Sequence, residues 1–138
     1  MSGEMNAAEL RQRKRKHVFV VNGAPEFLNL MRELLQDDDF NVTTTNFVPE
    51  TFQSIEVLAP DLVVVDLVVG QRAGWELLEQ LRAGAATRGI PVILASTDPK
   101  LLERAQADTG RYGEHETFVK PFDVEKVLAL VHEVIGSS

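Results

Sequence analysis

Three polar side chains stand where apolar runs stop, and their chemistry is complementary. Asp66 closes Leu62-Val63-Val64-Val65, Ser96 closes Ile90-Pro91-Val92-Ile93-Leu94-Ala95, and Lys120 follows Phe118-Val119. An ionised carboxylate at the end of a buried strand is costly unless a partner compensates it. A site shared at one edge of a sheet accounts for all three residues. There an aspartate can attack a phosphoryl donor and become an aspartyl phosphate, a hydroxyl can contact the phosphoryl group, and a lysine supplies it with a point charge. A fourth run, Val18-Phe19-Val20-Val21, ends instead in the uncharged pair Asn22-Gly23.

The elements that would position these residues follow from the hydrophobic pattern. Short apolar runs alternate with amphipathic stretches from Val18 onward, about five times, as in a parallel sheet covered by helices on both faces. The first strand is expected at Val18 to Val21, followed by a helix with Pro25 in its first turn and Phe27, Leu28, Met31, Leu34 and Leu35 inward. Asn41 to Thr45 reads as an edge strand, and a helix from about Pro49 to Leu58 is stopped by Ala59-Pro60. The third strand runs into Asp66. A loop from Val68 to Gly74 then leads to a helix with Trp75, Leu77, Leu78 and Leu81 inward, closing near Gly84. Asp98 and Pro99 suit the N-cap and first position of a helix bearing Leu101, Leu102 and Ala105. A short fifth strand at Phe118-Val119 precedes a last helix, with Asp123 as cap, Val124, Val127, Leu128, Val131 and Ile135 inward, and Gly136 at its end. In open parallel sheets, ligands bind outside the carboxyl ends of the strands, where Asp66, Ser96 and Lys120 all fall.

Composition narrows the function classes. The 138 residues, 44% hydrophobic and 25% charged, suit one globular domain with its own core and leave no room for a second. Absence of cysteine excludes disulfides and thiolate metal sites. No apolar stretch approaches the roughly 20 residues needed to span a bilayer, so no membrane association is expected and the protein reads as cytoplasmic. Residues 1–16 carry five Lys/Arg and two Asp/Glu, leaving nine against nineteen for the rest. The acidic body should be repelled by nucleic acid, and the basic run Arg11 to Lys16 lacks aromatics to stack on bases. It reads as a flexible basic tail over residues 1–16. His17, His115 and His132 show no ligand spacing, and no glycine-rich phosphate loop is present.

Asp66 after its apolar run, Gly74 opening Trp75-Glu76-Leu77-Leu78, Pro91-Val92-Ile93 leading to Ser96, and Lys120-Pro121-Phe122 together make a specific pattern. Over residues 17–136 it resembles the receiver domain of bacterial two-component response regulators. The resemblance implies an α/β, flavodoxin-like, doubly wound five-stranded parallel sheet of order 2-1-3-4-5. It implies a signalling domain rather than an enzyme, working in a phosphorelay, with Asp66 as phosphoacceptor, Ser96 as switch hydroxyl and Lys120 as the phosphate-contacting lysine before a cis bond to Pro121. The implied partners are a histidine kinase or phosphotransfer protein and a downstream protein reached through the last helix and preceding strand, with a homodimer as a further expectation. With no output domain after Ser138, a stand-alone receiver is expected.

The chain departs from that family at three places. Receivers usually carry two adjacent acidic residues after the first strand to hold Mg²⁺; Asn22 and Gly23 stand there, leaving Asp66 as the one matched carboxylate for the metal and weakening its site. Glu26 is nearby but one helical turn further on. Thr117 occupies the switch aromatic position, and Phe118 cannot replace it because neighbouring strand residues point to opposite faces. Val68 and Val69 make the site rim apolar. Such a rim raises the pKa of Asp66, while loss of neighbouring carboxylates lowers it. Lys120 could serve a phosphoryl group or simply neutralise Asp66. Two other functions remain on this reading: an atypical pseudo-receiver binding partners without phosphorylation, using the last helix, preceding strand and Leu101-Leu102 helix, and a small ligand binder using the Val68-Val69 rim.

Overall fold

A computed structural model describes residues 15–47, 49–121 and 123–135. The elements run β1 (His17–Val21), α1 (Pro25–Asp37), β2 (Asn41–Thr45), α2 (Thr51–Leu58), β3 (Leu62–Asp66), α3 (Ala73–Ala83), β4 (Val92–Ser96), α4 (Pro99–Gln106), α5 (Thr109–Tyr112), β5 (Glu116–Val119) and α6 (Val124–Ile135). All strand pairings are parallel, in the order β2-β1-β3-β4-β5. The expected order is therefore the observed one, with β3 central and Asp66 at its carboxyl end.

Alternation along the strands divides the core into two layers. Val18, Val20, Leu62, Val64 and Ile93 pack with Phe27, Met31 and Leu35 of α1 and Val127 and Val131 of α6. Phe19, Val21, Val63, Val65 and Leu94 pack on the other face with Ile55, Trp75, Leu78 and Leu102. Burial on both faces is why the central strands are continuous apolar runs and do not alternate with polar residues.

Helix boundaries follow local chemistry. Asp98 accepts a hydrogen bond from the Lys100 N–H at 2.9 Å, and Pro99 opens α4. Ala59 adopts a left-handed φ of 46° after α2 and precedes Pro60. Asp123 accepts from the Glu125 N–H at 2.9 Å, as a cap should. Three details differ from the sequence expectation. The single turn α5 went unforeseen because four residues carry no helical periodicity; its signal is local, the Asp108 carboxylate accepting from the Arg111 N–H. Helix α2 begins at Thr51, two residues later than Pro49. Val124 is 40% exposed, since the core contact of α6 is made by Val127 and Val131 a turn and more further on. The basic tail through Lys14, Phe122 and the Gly136 helix stop lie outside the described residues.

Candidate functional site

The sheet brings Asp66 and Lys120 together and leaves Ser96 one strand face away. Asp66 is 5% exposed at the end of β3. Its Oδ1 lies 2.7 Å from the Lys120 ammonium, with both side chains largely shielded from solvent. Lys120 follows β5, donates its backbone N–H to the Ser96 carbonyl at 2.8 Å, and is joined to Pro121 by a cis bond. Its Nζ also sits 4.2 Å from the centre of the Phe27 ring, so α1 provides a cation–π floor. Sequence reading placed Phe27 only in the core; an aromatic in the first turn after β1 was the available signal.

Ser96 is buried, and its hydroxyl is engaged away from Asp66. It donates to the Leu67 carbonyl at 2.7 Å and accepts from the Asp98 N–H at 3.1 Å. The alternation explains this: Asp66 falls on the face shared with Val64, and Ser96 on the face shared with Leu94. The same rule puts Thr117, opposite Leu94, on the α4 side and Phe118 on the α6 side, as expected from the sequence.

Asn22 extends β1 by one residue, its N–H donating to the Thr45 carbonyl at 3.1 Å. Val21 is opposite Val65, so Asn22 and Asp66 stand at the carboxyl ends of adjacent strands. The Ala24 N–H donates to Asn22 Oδ1 at 2.7 Å, which fixes the amide orientation. Asn22 is fully buried, and its Nδ2 has no hydrogen-bond partner among the described residues. The sequence shows an amide in place of a carboxylate here, but not that its Nδ2 is buried without a partner.

Burial pushes the Asp66 carboxyl above its ordinary value of 3.8, and the hydrogen bond and charge of Lys120 oppose that rise. Desolvation by burial is the largest of these causes.

These oxygens do not fit a divalent cation. Magnesium takes hard oxygen ligands in near-octahedral geometry, commonly one or two carboxylates with waters and phosphate. Asp66 Oδ1 is held by Lys120, Asn22 Oδ1 by the Ala24 N–H, and Ser96 Oγ by Leu67 and Asp98, which leaves Asp66 Oδ2 as the one carboxylate oxygen at the strand ends not so engaged, too few for a magnesium site. Glu26 is solvent-exposed on α1. Among the described residues no group of three or more His, Cys, Asp or Glu could hold a metal. Each histidine has one ring nitrogen engaged locally, His17 with Thr43, His115 with the Tyr112 carbonyl and His132 with Asp38. Trp75 packs in the core beneath the Arg104 guanidinium.

The fold is a doubly wound parallel domain with a lysine-paired aspartate at the end of its central strand. Comparison with known proteins makes the assignment specific: the response regulator receiver domain model matches residues 18–132, and the chain belongs to that family. Hybrid signal transduction histidine kinase D of Dictyostelium discoideum is 32% identical over 114 residues, which cover 83% of this chain and 7% of that protein. The chain spans about half the length, or less, of the curated relatives it matches. The chemotaxis response regulator CheY4 of Vibrio cholerae superposes with a TM-score of 0.76 at 20% identity, covering 88% of this chain and 99% of that one. The receiver domain of a Pseudomonas aeruginosa sensor histidine kinase, solved with magnesium coordinated in its active site cleft, gives 0.74 at 18% identity, over 88% and 98% of the two chains. The protein is thus a receiver domain of two-component signalling. No helix among the described residues is long and apolar enough to cross a membrane.

Proposed function

We propose that this receiver accepts a phosphoryl group on Asp66 from a histidine kinase or phosphotransfer protein and signals to a downstream protein. The observation that carries this reading is the buried Asp66–Lys120 pair at 2.7 Å. Lys120 holds Oδ1 and leaves Oδ2 as the attacking oxygen, while its ammonium is already placed to meet the incoming charge. Ser96 would follow by exchanging the Leu67 carbonyl for a phosphoryl oxygen, a change that would reach the loop after β3 and the start of α4. With Thr117 in place of an aromatic, transmission outward would rely on β5 itself, through Lys120. The output surface is proposed to be β5 and α6, where Val119 and Val124 stand exposed. The folded unit is proposed to be residues 17–136, acting in the cytoplasm.

Incubation with acetyl phosphate followed by borohydride reduction tests the assignment, because an acyl phosphate on an aspartate is reduced to homoserine. Peptide mass spectrometry should find that change at position 66 and nowhere in Asp66→Asn. Modification that persists in Asp66→Asn would place the acceptor elsewhere.

A further inference from the structure

We propose that Asn22 lets this site work without a divalent metal: its buried Nδ2 donates to a phosphoryl oxygen during transfer to Asp66. The inference rests on Asp66 being the phosphoacceptor. Three observations lead to it. The donor set at the strand ends does not fit magnesium, as shown above. The Asn22 amide is fully buried with an unsatisfied Nδ2, and a buried donor without an acceptor is destabilising enough to be rare in native folds. The amide orientation is fixed by the Ala24 N–H on Oδ1, so the free atom is a donor, which suits an anion and repels a cation.

Charge accounting at the strand ends points the same way. The Asp66 carboxylate and the Lys120 ammonium, 2.7 Å apart, leave this part of the site formally neutral. A dianionic phosphoryl donor can therefore approach without a dication to offset neighbouring carboxylates. With acetyl phosphate, Asp66 Oδ2 forms a bond to phosphorus as the bond from phosphorus to the acyl oxygen breaks, and the electron pair leaves with acetate. No proton has to move. Negative charge spreads over the phosphoryl oxygens during transfer, where Lys120 Nζ and Asn22 Nδ2 can meet it from fixed positions. The sheet brings Asn22 to this end, because β1 and β3 are adjacent and Val21 is opposite Val65, which sets Asn22 and Asp66 at neighbouring strand ends.

The test is the initial rate of phosphorylation by acetyl phosphate in EDTA and in magnesium chloride, for the wild type, Asn22→Ala and Asn22→Asp. The wild type should react equally fast in both. Asn22→Ala should be about tenfold slower in both, as expected for loss of one charge-assisted hydrogen bond in the transition state. Asn22→Asp should react only with magnesium, and its amide resonances near residues 22 and 66 should shift on adding magnesium while those of the wild type stay still. A wild type that reacts only with magnesium, or an Asn22→Ala as fast as wild type, overturns the inference. If Asn22→Asp reacts with magnesium while the wild type reacts in neither condition, Asp66 remains the acceptor and the inference alone fails. If none of the three reacts, the Asp66 assignment fails and the inference with it. The comparison of wild type in the two conditions needs no variant to fold.

Discussion

At the scale of single residues, the energetic centre is a carboxylate that the fold holds against its own preference. Burial raises the Asp66 pKa above 3.8 even though Lys120 hydrogen-bonds to it. As pH rises, the unfolded chain gives up this proton first. Between the unfolded and the higher folded pKa, the native state holds more protons, so the stability this group contributes is present below the unfolded value and lost as pH rises through the folded one. Asp66→Asn should remove that loss. Urea unfolding at a series of pH values should show the variant gaining on wild type from acid to neutral pH; a constant difference would mean that Asp66 titrates normally. Lys120→Met leaves the carboxylate buried without its counter-charge and should destabilise the domain by about 3–5 kcal/mol at neutral pH. Combining it with Asp66→Asn should recover most of that loss. Additive effects in the double variant would show that the pair, 2.7 Å apart, is not coupled.

At the scale of elements, the loop from β3 to α3 is shaped by a close approach at Gly74. A Cβ there would come within 2.9 Å of Leu67 Cδ2 and 3.0 Å of the Asp66 carbonyl oxygen. Gly74→Ala should therefore push α3 away from the end of β3, costing about 1–3 kcal/mol and slowing phosphorylation of Asp66. Thermal unfolding with the acetyl phosphate assay measures both, and a variant matching wild type would show that the loop can absorb the methyl group. Gly74 was legible in the sequence as part of the pattern after Asp66, though its steric cause was not. The same division holds elsewhere. Strands buried on both faces announced themselves as apolar runs, and Asp98 with Pro99 announced α4, because burial and capping act on neighbours in sequence. The hydroxyl of Ser96 facing Leu67 and the ring of Phe27 beneath Lys120 are meetings between distant segments, and the burial of the Asn22 Nδ2 without a partner depends on the whole fold, so no local pattern records them.

At the scale of the whole molecule, the sheet order gives its strands unequal support, and that inequality bears on signalling. Strands β1, β3 and β4 each have a neighbour on both sides, and nearly all their residues are fully buried. Strand β5 lies at an edge beside β4 alone, with its four residues half-buried or exposed. Yet β5 leads directly to Lys120, the residue that binds Asp66 from the far side of β4. The element that leads to the site is thus among the least cooperatively held, so under the proposed function a change in charge at Asp66 would move β5 and α6 without disturbing the centre of the sheet. Opening free energies in native proteins range from near zero at weakly packed edges to the global value in the core. Native-state hydrogen exchange should show the amides of Glu116 to Val119 exchanging at least about tenfold faster than those of Val63 to Val65, with α6 following β5. Equal protection across the two strands would mean that the sheet opens as one unit, and transmission through β5 would then need movement of the whole domain.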